Sequence, residues 1–132
     1  MRSTSLSLYI YGQKPSWQFS LLDREGEFGW DKCPGQHWWD KIYPMLQNFE
    51  SMTWAEIIKA TGDKKRGNLH HYISLNECSK EARDRMTELR YAYDEMFSLR
   101  LENKVRIFGV IDRGVMKVIW FDPNHKVYQC KK

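Results

Sequence analysis

The chain has 132 residues, 42% hydrophobic and 14% aromatic, enough for one hydrophobic core and too few for two ordinary domains, so residues 1–132 read as a single domain. A formal charge of +4 and a pI near 9.0 favour an acidic partner and permit RNA binding, yet fall short of what obligate nucleic-acid coaters carry. The first eight residues lack the apolar run of a signal peptide, and no stretch approaches the roughly 18 apolar residues of a membrane span. Three widely spaced cysteines, Cys33, Cys78 and Cys130, suit reduced thiols better than a disulfide framework. A cytoplasmic protein with no membrane contact is the expectation.

In chain order, Trp17, Phe19 and Leu21 alternate with Gln18 and Ser20 as a half-buried strand would, and Asp23-Arg24-Glu25-Gly26 reads as a turn. Trp38, Ile42, Leu46 and Phe49 recur at helical spacing, with Pro44 expected to kink or divide that helix. Thr53-Trp54-Ala55-Glu56 is a capping box, so a short helix starts at Trp54 with Trp54, Ile57 and Ile58 on its inner face. The segment Gly62 to Gly67 ends it and carries Lys64, Lys65 and Arg66, the most basic spot in the sequence and a candidate phosphate-contacting loop. His70 to Leu75 suits a strand, and Ser79 can cap a helix through about Arg90 that buries Ala82, Met86 and Leu89.

The region from Met96 to Tyr128 reads as a three-stranded antiparallel meander. Register follows from the cost of burying charge. Connecting the first two strands through Glu102-Asn103 by a plain two-residue turn would drive Arg106 into the core beside Leu99. An odd loop instead sets Ser98 against Arg106 and Arg100 against Lys104. A three-residue loop at Asp112-Arg113-Gly114 then sets Arg106 against Trp120 and Lys104 against Asp122. One face holds Phe97, Leu99, Val105, Ile107, Ile111, Ile119 and Phe121. The other presents Ser98, Arg100, Lys104, Arg106, Phe108 and Trp120, and basic groups beside exposed rings suit RNA, with cations on phosphate and rings on unpaired bases. The alternative is that this face is partly covered and Arg106 stacks on Trp120. Pro123 stops the third strand and leaves His125, Lys126 and Tyr128 at the rim of the basic face.

Leu99-Arg100-Leu101, Lys104-Val105-Arg106-Ile107-Phe108, the apolar run Val115 to Phe121 and the ending His125-Lys126-Val127-Tyr128, preceded by a strand and a helix beginning Ser79-Lys80-Glu81-Ala82, resemble the RelE/ParE toxin superfamily over about residues 69–128. The resemblance implies an α+β fold, a small antiparallel sheet against two or three helices, to which residues 1–68 would add a strand and helices. It also implies an endoribonuclease that cleaves messenger RNA, often on the ribosome, by attack of the ribose 2′-hydroxyl on phosphorus, without metal or cofactor and held inactive by a cognate antitoxin. Carried over, Arg106, His125 and Tyr128 are the catalytic candidates. Arg100, Lys104, Trp120 and Lys126 are the RNA-binding candidates, joined by the Lys64-Lys65-Arg66 loop. A non-catalytic protein- or RNA-binding module on the same scaffold, of the kind a mobile element carries, is the competing reading. Cys33 with His37, or the pair His70-His71, could ligate a metal, but adjacent strand histidines point to opposite faces and no C-x-x-C or H-x-x-x-H spacing occurs.

Overall fold

The computed structural model describes residues 10–60, 70–102 and 104–128. Strand β1 (Ser16–Gln18) is followed by helix α1, an unbroken helical run of an α turn at Gly35–His37, a π turn at Trp38–Ile42 and an α segment at Tyr43–Phe49. Helix α2 (Trp54–Lys59), strand β2 (His71–Ser74), helix α3 (Lys80–Leu89) and strands β3 (Glu95–Glu102), β4 (Val105–Asp112) and β5 (Val115–Asp122) complete the order. One sheet holds all five strands in the order β1-β5-β4-β3-β2. The meander and β2 are antiparallel, while β1 joins the far edge parallel to β5, so this α+β sheet is mixed.

Local chemistry accounts for the helices. Pro44 neither breaks nor divides α1: the preceding turn widens so that the Tyr43 amide bonds the Trp38 carbonyl, and the proline falls at the start of the following α segment, where its missing donor is harmless. The Thr53 hydroxyl accepts from the Glu56 amide at 3.2 Å and the Glu56 carboxylate accepts from the Thr53 amide at 2.8 Å, the capping box read from the sequence. Ser79 caps α3, and Arg90 closes it in the left-handed conformation at φ 63°.

The sheet is buried on both faces, which corrects the expectation of an open basic surface. On the first face, Phe97, Leu99, Ile107, Met116, Val118 and Phe121 pack against Ile42, Leu46 and Phe49 of α1 and Trp54 and Ile57 of α2. On the second, Met96, Phe108, Val110, Ile119 and Trp120 pack against Ala82 and Met86 of α3 and against Phe28 and Val127.

Two bulges set the register. Asp112 faces Val115 across a two-residue turn, Arg113-Gly114, with φ of 55° and 85°, as a type I′ hairpin needs. An extra residue at Ile119 then shifts the pairing, so Phe108 faces Trp120 and Arg106 faces Asp122. At the other hairpin Glu102 faces Val105, and the extra residue Leu101 lets Arg100 face Arg106 and Ser98 face Phe108. The expected pairs of Ser98 with Arg106, Arg100 with Lys104, Arg106 with Trp120 and Lys104 with Asp122 are therefore replaced. Arg106 still lies on the face expected, because a two-residue turn plus a bulge has the same parity as an odd loop. Ile119 does not: the bulge moves it to the second face and sends Met116 and Val118 to the first.

Candidate active site at one end of the sheet

Across the second face the side chains run in rows. His71, Ser98, Phe108 and Trp120 are successive cross-strand partners, and the next row toward the β3 C-terminus is Arg100, Arg106 and Asp122. The first of these rows runs under the α3 layer at Phe108 and Trp120, both wholly buried. The Trp120 indole donates to Asp23 at 2.9 Å, and the same carboxylate takes two bonds from Arg85 of α3, at 2.8 and 2.9 Å. Trp120 is thus a core residue sealed beneath an ion pair, and its expected stacking on RNA is corrected: no face of the ring reaches solvent.

The charged row ends under the turn that follows β5. The buried Asp122 carboxylate accepts from the amides of Lys126, at 2.8 and 3.0 Å, and Val127, at 2.8 Å, which folds residues 123–127 back over the sheet end. Val127 fills the second core, and its carbonyl accepts from the Ser79 amide at 2.8 Å, tying the tail to the start of α3. Held this way, His125 takes a left-handed backbone, φ 58°, and Tyr128 sets its ring edge-on to His71 at 5.9 Å between centroids.

Electrostatics shows which groups share this space. Burial first, then Arg106, Arg100 and Lys104, push the His125 imidazole below its ordinary pKa, while Asp122 opposes them. Burial and then Arg106 lower His71 in the same direction. Both imidazoles are half-buried, so solvent reaches them.

Five sequence-predicted residues therefore meet at one end of the sheet: Arg100, Lys104, Arg106, His125 and Tyr128. Lys126 lines a hollow of about 410 Å³ with Glu27, Phe28, Lys32, Phe121, Asp122, Pro123 and Asn124, whose lining includes none of those five. Lys64, Lys65 and Arg66 lie outside the described residues.

No protein-family model, curated protein or solved structure matches this chain. The site is accordingly read from its own geometry. Two members were missed in the sequence, His71 and Asp122. The alternation that separates adjacent strand histidines also assigns them roles, because pairing His71 with Ser98 puts its ring on the basic face. His70 points the other way: it is buried, packs edge-on to Phe49 at 5.1 Å and accepts from the Arg100 amide at 3.0 Å through Nδ1. Burial, then His71 and Arg100, push its pKa to about 4, so it is a neutral structural acceptor at pH 7. Asp122 was missed because its use, bonding backbone amides four and five residues on, depends on the turn it creates. Cys78 is buried, and its thiol is pushed up to about 11 by burial and Glu77, against Arg83, which leaves it unreactive. Among the described residues, no group of three or more His, Cys, Asp or Glu could hold a metal ion, and no helix is long and apolar enough to cross a membrane.

Proposed function

We propose that this chain is a metal-independent endoribonuclease of the RelE-like kind, acting on messenger RNA in the cytoplasm and held inactive by a cognate antitoxin. The observation that carries the reading is the convergence of Arg106 and Arg100 with His125 and Tyr128 on one sheet end. Cleavage of RNA by its own 2′-hydroxyl needs a proton acceptor, a proton donor and cations for the charge that develops on the phosphoryl oxygens. His125 would move a proton at its imidazole, Arg106 would meet the phosphoryl charge, Arg100 and Lys104 would hold the backbone, and Tyr128 would orient the substrate. With Phe108 and Trp120 buried, substrate would enter at the rim made by residues 123–128, not across the sheet.

The test is purified protein on messenger RNA in EDTA, with and without ribosomes. Cleavage leaving a 2′,3′-cyclic phosphate and a 5′-hydroxyl is expected, with activity lost in an Arg106→Ala, His125→Ala, Tyr128→Phe triple variant. Intact RNA under both conditions, or equal cleavage by the triple variant, refutes the reading.

One observation favours a non-catalytic binding module instead, of the kind a mobile element could carry. Among the described residues, the large exposed rings, Phe19, Trp39 and Tyr43, lie on β1's end and α1, away from the basic cluster. Trp39 and Tyr43 stack edge to face at 5.3 Å on the outside of the helix, as a protein contact would use them. That reading predicts a stoichiometric complex abolished by Trp39→Ala, with no RNA cleavage.

A further inference from the structure

The charge of Arg106 acts on two histidines. One is His125, on the turn after β5; the other is His71, at the start of β2. The second face brings them together: His71 pairs with Ser98, one row from the Arg100-Arg106-Asp122 row, and its ring meets Tyr128, three residues beyond His125. The groups around them differ. His71 feels burial and then Arg106, whereas His125 feels burial and then Arg106, with the Asp122 carboxylate set against them ahead of Arg100 and Lys104. A carboxylate stabilises an imidazolium, and a cation disfavours one. The Asp122 carboxylate anchors the turn that carries His125, while His71 sits one row away opposite Ser98, so the geometry gives the proton donor's place to His125 and the acceptor's to His71.

Resting on the ribonuclease reading, we propose that His71 is a second catalytic residue and the general base of the site, with His125 its general acid. His71 takes the proton of the 2′-hydroxyl as that oxygen bonds to phosphorus. His125 gives its proton to the 5′-oxygen as the bond from phosphorus to that oxygen breaks. The products are a 2′,3′-cyclic phosphate and a free 5′-hydroxyl, and the two histidines end with exchanged protonation, which solvent restores. Arg106, whose charge both imidazoles feel, meets the charge on the phosphoryl oxygens throughout.

The test uses the full chain on an RNA that the unaltered protein cleaves, made with either oxygen or sulfur as the bridging 5′-atom at the cleaved position. A thiolate leaves without a proton, so sulfur relieves the need for an acid and not for a base. His71→Gln should lose roughly 10²- to 10⁴-fold in cleavage rate on both substrates, and His125→Gln should lose as much on oxygen and recover most of it on sulfur. His71→Gln within about twofold of the unaltered protein overturns the inference while leaving the nuclease reading standing, and rescue of His71→Gln by sulfur overturns the assignment of roles. Should a variant fail to fold, the unaltered protein still decides. Its pH-rate profile should be bell-shaped on the oxygen substrate and lose the alkaline limb on the sulfur substrate, and a profile with one limb on both overturns the proposal. Failure of the unaltered protein to cleave either RNA removes the nuclease reading and this inference with it.

Discussion

The two faces of the sheet are both buried, but they are built differently. The first is closed by α1 and α2 with mostly apolar side chains, and its polar contacts include the bond from the Trp54 indole to the Gly114 carbonyl, at 2.8 Å, and the bond from the Arg100 amide to His70, at 3.0 Å. The second also buries polar and charged groups: Asp23, Ser98, Arg106 and Asp122 lie there beside Phe108 and Trp120. An apolar face gains from any well-fitted side chain, whereas buried charge stabilises only when its partners are kept in place. The second face is therefore where this fold invests in position, and its charged end carries the candidate site.

Removing one buried partner should separate the faces most sharply. Asp23 is nearly inaccessible; burial raises its pKa, yet the bonds from Arg85 and Trp120 outweigh that and hold the carboxylate below its ordinary value. Asp23→Ala would strand the guanidinium and the indole, and should cost about 3–5 kcal/mol in urea unfolding. The double variant Asp23→Leu, Arg85→Met should recover much of the loss. By contrast Arg24→Ala, which removes an ion pair in which both side chains are more than half exposed, should leave the urea midpoint unchanged within error. Equal losses for Asp23→Ala and Arg24→Ala would break the comparison.

Acid should act next in size, through His70 on the first face. Its folded pKa of about 4 lies below the ordinary 6.5, so between those values the unfolded chain binds the extra proton. Stability is then full above pH 6.5 and falls as the pH drops toward 4, by about 3 kcal/mol for this group. His71 and His125 are lowered in the same sense and steepen the same window. His70→Gln, whose amide oxygen can still accept from the Arg100 amide, should flatten the urea midpoint against pH; an unchanged slope would show that His70 is not the group titrating.

How much of this was legible depends on whether the pattern was local. The α+β class, the capping box, the helix from Ser79 and the meander are written in contiguous residues. Arg106 was assigned to its face by burial cost alone, which holds whatever device satisfies it. The device itself was not legible, because a two-residue turn followed by a bulge mimics an odd loop in parity. Only the run Val118-Ile119-Trp120, apolar at three successive positions, and Gly109 opposite it hint at the bulge. The burial of Trp120 was invisible for another reason: its cover, Asp23 and Arg85, lies 97 and 35 residues away in sequence, and Asp23 is 62 residues from Arg85. Gly109 gives the bulge its own test. A Cβ there would sit 2.2 Å from the Lys117 carbonyl oxygen, so Gly109→Ala should destabilise by about 1–3 kcal/mol and loosen amide-exchange protection at Lys117 to Trp120.

A smaller effect belongs to the first face, at the cap of α2. Thr53→Ala removes the hydroxyl that accepts from the Glu56 amide but leaves the reciprocal bond from the Thr53 amide to the Glu56 carboxylate. Helix α2 is short, so its stability comes from burying Trp54 and Ile57 rather than from propensity. Loss of the cap should therefore cost about 1 kcal/mol, read as a shift in urea midpoint with an unchanged slope. Because the α2 cap lies in the cluster on the face opposite the charged end, RNA cleavage by Thr53→Ala should equal that of the unaltered protein under conditions where both are folded. A matching loss of cleavage would mean that the charged end of the second face is not positioned independently, and that the division between a packing face and a working face is wrong.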